Sequence, residues 1–98
     1  MSHVILRPAV RWFAEQMELQ LRANDHKGRN GWKDSTERWL LHRLEEETLE
    51  LRDALRFACN DCGHIASNKA PQPAEIIKEA ADVANFAMFI ADNAKECR

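Results

Sequence analysis

The sequence predicts an all-α fold, a three-helix chain whose two long helices form a four-helix-bundle-type homo-oligomer. Three observations predict it. The 98 residues contain only three Gly and three Pro and no Tyr, too few turn formers for a strand-rich sandwich or barrel. Apolar residues recur at helical spacing in three separate stretches. A chain this short also buries a small share of its apolar surface, so further copies are expected to cover the rest. Residues 1–98 are read as one domain.

The first helix is expected from Pro8 to about Asn24, with Ala9, Val10, Trp12, Phe13, Met17, Leu19 and Leu21 at helical spacing. Pro8 suits its first turn, where an N–H would lack a partner in any case. Asp25–Asp34 packs two glycines, three basic residues and Trp32 into ten positions and reads as a functional loop. Asp34 or Ser35 is placed to cap the second helix, Asp34 and Glu37 having the spacing of a capping box. That helix is expected to run to about Phe57. Cys59 to Gln72 holds Asn60, Asp61, Gly63, Ser67, Asn68 and Pro71, and reads as a surface connection. Pro73 opens a third helix that continues, rich in Ala and free of Gly, to about Lys95.

Fourteen Lys and Arg against sixteen Asp and Glu give a net charge of −2, which offers no footprint for duplex nucleic acid or an anionic membrane. The odd number of cysteines, with Arg7 and Pro8 where a signal peptide would be apolar, points to a reducing cytoplasmic location.

The chemistry lies in acids on the apolar faces. At ~100° per residue, Leu40, Leu44, Leu51, Leu55 and Ala58 share one arc of the second helix, and Glu47 projects into its middle. Glu50 flanks that arc, whereas Glu45 and Glu46 point away. On the third helix Ile76, Val83, Ala87 and Ile90 share an arc that Phe86 and Phe89 extend, and Glu79 and Asp82 fall inside it. Lys78, Asn85 and Asp92 mark the opposite, polar side. Packing the two helices would converge four carboxylates, which need basic partners or a divalent metal to stay ionised. An all-oxygen set favours Mg²⁺ or Mn²⁺. The plainer alternative is that they are ordinary surface acids. A di-iron bundle would need Glu-x-x-His motifs, and none is present.

The run Leu44-Glu45-Glu46-Glu47-Thr48-Leu49-Glu50-Leu51, followed by Glu79-Ala80-Ala81-Asp82-Val83, resembles the E-x-x-E … E-x-x-D signature of the MazG-like all-α nucleotide pyrophosphohydrolases. Asp25-His26-Lys27-Gly28, Gly31-Trp32-Lys33 and Asp82-Val83-Ala84-Asn85-Phe86 extend the likeness to small single-domain members, over roughly residues 20–93. The resemblance implies Mg²⁺-dependent hydrolysis of a nucleoside triphosphate between the α and β phosphates. It assigns the metal and the catalysis to Glu47, Glu50, Glu79 and Asp82; one of the four, with Glu47 and Glu50 ahead of the others, would also orient the attacking water. Mn²⁺ would be a substitute metal.

Lys27, Arg29 and Lys33 are the natural phosphate contacts, with Arg43 and Lys78 as second choices. Trp32 has two readings, stacking on the base or packing against the bundle. Asn85 and Phe86 follow the metal acid as nucleoside contacts do in the family, although the wheel gives Phe86 to the core and Asn85 to the polar side. Arg29 and Asn30 lengthen the loop relative to common members. Cys59, Cys62 and His64 fall one ligand short of a zinc site unless Cys97 or a second chain supplies it. The expected partners are the triphosphate and further copies of the chain, as a homodimer or a dimer of dimers. The alternative from a different class is a non-catalytic, metal- or nucleotide-binding helical oligomer.

Overall fold

The computed structural model describes residues 4–25, 31–55 and 72–96. They form helix α1 (Pro8–Asn24), a 3-10 turn (Trp32–Asp34), helix α2 (Glu37–Ala54) and helix α3 (Pro73–Lys95). No strand occurs among the described residues. None of the helices searched there is long and apolar enough to cross a membrane.

Both proline starts lie where expected. Pro8 and Pro73 open α1 and α3 without a side-chain cap. The backbone carbonyls of Arg7 and Gln72 receive the first helical N–H groups, from Arg11 and Ile76. The start of α2 differs from the expectation. Thr36, rather than Asp34 or Ser35, is its N-cap, its Oγ1 accepting from the Trp39 N–H at 3.1 Å. The Asp34–Glu37 capping box is not formed, because Asp34 closes the 3-10 turn, in which the Ser35 N–H bonds the Trp32 carbonyl. Gly31 precedes that turn at φ 82°. No atom lies within 4 Å of a Cβ built there, so glycine is required by the left-handed backbone and not by crowding. The expected last turn of α2, through Phe57, lies outside the described residues.

Helix α3 is the centre of the molecule. α2 packs along one side of it, α1 along another, and the 3-10 turn rests near its C-terminal end. α2 and α3 run antiparallel, since Arg43 and Trp39 meet Phe86 while Glu47, further along α2, meets Glu79. Leu40, Ala54 and Ala81 are fully buried. On α1, Phe13, Gln16, Met17, Gln20 and Leu21 are its half-buried positions, the i, i+3, i+4 stripe of a helix covered on one face.

This arrangement corrects the helical wheel of α3. Ala87, assigned to the apolar arc, is exposed, while Asn85, assigned to the polar side, is only 4% exposed. The reason is α1, which covers that side. Asn85 Nδ2 donates to the Met17 carbonyl at 3.1 Å, and its Oδ1 is buried without a partner. Asn85→Asp should therefore destabilise the chain by about 3 kcal/mol. It replaces the donor by a buried charge facing a carbonyl, and urea unfolding at neutral pH measures the loss.

Candidate metal centre

Three acids meet where α2 and α3 cross. One carboxylate oxygen each from Glu47, Glu50 and Glu79 lies within 4.8 Å of the other two. Glu47 and Glu50 are three residues apart on α2 and so share a face; Glu79 comes from the facing turn of α3. The burial is graded, with Glu47 only 6% exposed, Glu79 half-buried and Glu50 exposed. The acids expected to point away, Glu45 and Glu46, are exposed. Asp82 is one turn beyond Glu79, close enough for its charge to act on Glu47, but it is not one of the three mutually close groups.

Two cations sit on the outside of this cluster. Arg43 Nη2 donates to Glu47 Oε1 at 2.8 Å, and its Nη1 to Glu46 Oε1 at 2.9 Å. Its guanidinium also lies 5.2 Å from the Phe86 ring centroid, within cation–π range. Lys78 Nζ is 3.3 Å from both Glu79 Oε1 and Asp82 Oδ2. The remaining oxygens, Glu47 Oε2 and Glu79 Oε2, are buried with no hydrogen-bond partner. Buried carboxylate oxygens left without a donor are costly.

The electrostatics follow from the crowding. Burial first, then the hydrogen bond that the protonated carboxyl shares with Glu50, then the charges of Glu50 and Asp82, push the Glu47 carboxyl up to about 7, against the pull of Arg43. Burial alone would lower the Lys78 ammonium. The charge of Asp82 and hydrogen bonds to Asp82 and Glu79 outweigh it and hold Lys78 above its ordinary value.

The expected substrate residues are distributed differently. Trp32 stacks on Phe89, centroids 4.3 Å apart and planes within 14°, and its Nε1 donates to Asp92 Oδ2 at 2.8 Å. Lys33 Nζ lies 2.8 Å from both Asp92 and Glu96. Asn93 Nδ2 donates to the Trp32 carbonyl. Lys33, Lys95 and Trp32 together hold the Asp92 carboxyl well below the usual carboxylate range. Of the two readings of Trp32, packing is the one seen within the chain. Asp92 follows Glu79 by thirteen residues, about 20 Å along the helix axis, so this latch is remote from the acids of its own chain. An aromatic series joins the two regions, as Phe89 packs edge-on to Phe86 and Phe86 meets Arg43 and Trp39.

Asn85 faces α1, and Phe86 lies beside Arg43. Lys27 and Arg29, and Cys59, Cys62, His64 and Cys97 of the possible zinc set, lie outside the described residues. Sequence reasoning offered Arg43 and Lys78 to phosphates and missed that both bind the acids. The signal for Arg43 was its i, i+4 spacing to Glu47. Compared with family models, with curated proteins and with solved structures, the chain has no match in any of the three.

Proposed function

We propose that this protein is a MazG-like, Mg²⁺-dependent nucleoside triphosphate pyrophosphohydrolase. It converts a (d)NTP and water to the (d)NMP and pyrophosphate, in nucleotide-pool cleaning or dNTP metabolism. The observation that carries the reading is the pair of buried, unpartnered oxygens of Glu47 and Glu79 within a three-carboxylate group shared by antiparallel helices. An all-oxygen donor set with lone pairs already desolvated suits Mg²⁺ or Mn²⁺.

Glu47, Glu50 and Glu79 would hold the metal, with Asp82 beside them. When bound, it offsets the charge of the triphosphate, polarises the α-phosphoryl group and acidifies water. Either Glu47 or Glu50 orients the attacking water, and Glu50 is the one open to solvent. Lys27 and Arg29 serve the phosphates. Trp32 and Lys33 belong to a site closed at a subunit boundary, because along their own chain they lie far from the acids.

The oligomer is supported by large apolar side chains left uncovered on both outer helices. Trp12 and Leu19 on α1, and Trp39, Leu41 and Leu49 on α2, are all exposed. A second pair of long helices would bury such surface as a four-helix bundle. Sedimentation at micromolar concentration should give a dimer or tetramer, and a monomer would count against this assembly.

A second reading, metal or nucleotide binding without turnover, draws on one observation: Trp32 and Lys33 are both engaged by α3 of their own chain. Incubation with Mg²⁺ and a panel of NTPs and dNTPs, following monophosphate and pyrophosphate separately, decides between the two. Equal release of both products from some member supports the enzyme. Calorimetric binding of triphosphate with no product from any member favours the second reading.

A further inference from the structure

We infer that Arg43 is a positioning residue, which holds Glu47 Oε1 outside the acid cluster so that Oε2 alone is presented to a divalent cation. The inference rests on the metal-binding reading above and adds a role for a residue that would otherwise be a surface cation. Glu47 Oε1 accepts from Arg43 Nη2 at 2.8 Å, while Glu47 Oε2 is buried and has no donor. The carboxylate is thereby divided, one oxygen tied and the other available. Arg43 is in turn fixed on two other sides, by Glu46 at 2.9 Å and by the Phe86 ring at 5.2 Å. A planar fork suits this task better than a point charge, since it donates in two directions and lies flat on a ring.

The other helix repeats the pattern. Lys78 Nζ approaches Glu79 Oε1 at 3.3 Å, and Glu79 Oε2 is buried without a partner. Two glutamates from two helices thus have their Oε1 atoms held by cations and their Oε2 atoms free, which is how outer groups orient the ligands of a metal. Both cations are taken up by carboxylates, so neither stands idle for a phosphate.

Simple electrostatics and positioning predict opposite signs. Arg43 also holds the Glu47 carboxyl down, and proton and metal compete for it, so affinities are compared on the pH-independent plateau above the Glu47 value. There a bystander cation only repels Mn²⁺ and its removal should tighten binding, whereas loss of a positioning residue should weaken it, by roughly tenfold or more. The test titrates the full-length protein with Mn²⁺ alone, following the electron paramagnetic resonance signal of free Mn²⁺, with circular dichroism as a check of helicity. Wild type should bind, Arg43→Gln should bind at least about tenfold more weakly, and Arg43→Lys should lie between them. Arg43→Gln binding as tightly as wild type or tighter overturns the inference while leaving the metal reading intact. Should Arg43→Gln fail to fold, Arg43→Lys binding equal to wild type overturns it instead. No Mn²⁺ binding by wild type overturns both.

Discussion

If the proposed hydrolysis is this protein's activity, Glu79→Gln should take turnover below detection and lower Mn²⁺ affinity at least about a hundredfold, while the circular dichroism stays that of the parent. Glu79 Oε2 is buried and unpartnered, and a Glu79 carboxylate oxygen lies within 4.8 Å of those of Glu47 and Glu50 on α2. The carboxamide keeps the volume, so no cavity opens and the helices stay packed. It removes the charge, and in one rotamer it turns an N–H₂ donor toward the position a cation would take. Glu50→Gln should act in the same direction, because its oxygen is within 4.8 Å of those of Glu47 and Glu79. Pyrophosphate-release and Mn²⁺-titration assays on the same preparations separate chemistry from binding. Near-full activity in either variant would remove these acids from the site.

The metal-free protein should lose stability as the pH is raised from about 5 to about 7.5. The Glu47 carboxyl, pushed up from 4.5 to about 7 by burial and by Glu50 and Asp82, binds its proton more tightly folded than unfolded. Between those two values the folded state therefore carries more protons, and the stability of unfolding falls with pH. The stabilisation from the bound proton is complete below the unfolded value and gone above the folded one. From 4.5 to about 7, at about 1.4 kcal/mol for each pH unit, the whole effect is about 3.5 kcal/mol, of which roughly 2 to 3 kcal/mol is lost between pH 5 and 7.5. Asp92 contributes in the opposite sense, since its carboxyl is held low. Its contribution is already complete above its unfolded value near 4 and adds no slope in this window. Urea midpoints at several pH values, with Glu47→Gln as the control, measure the effect. The variant should flatten the decline and be the more stable protein at pH 7.5. Saturating Mn²⁺ should stabilise the wild type increasingly as the pH rises, since proton and metal compete for one carboxylate. A wild type whose stability rises steadily from pH 5 to 7.5 without metal would refute this account of Glu47.

Such a preference is consistent with a site held ready at the expense of the free protein's stability. Three carboxylates gathered at a helix crossing are a poor way to build a core. The same turn of α2 could have carried leucine, as positions 40, 44 and 51 do.

How the chain folds was legible locally and much less so globally. Helix identity depends on spacing and on proline at first turns, and these are properties of a few consecutive residues. Hence α1 and α3 begin at Pro8 and Pro73 as read, and Glu47 lies inward while Glu45 and Glu46 do not. The capping of α2 was misread because Asp34 is used by a turn that exists to dock Trp32 and Lys33 on α3, a contact across some sixty positions. Asn85 was misread because a wheel assumes one buried face, and a central helix has two.

What the sequence determined by itself is the all-helical character and the acids set on apolar faces, since both follow from periodicity within one helix. What only the tertiary structure decided is which groups meet. It placed Glu79 beside Glu47 and Glu50 with Asp82 to one side, turned Asn85 against α1, and gave Arg43 and Lys78 to the carboxylates. The physical reason is that rotation and register between helices are set by packing across the whole interface, and no short window of sequence contains that information.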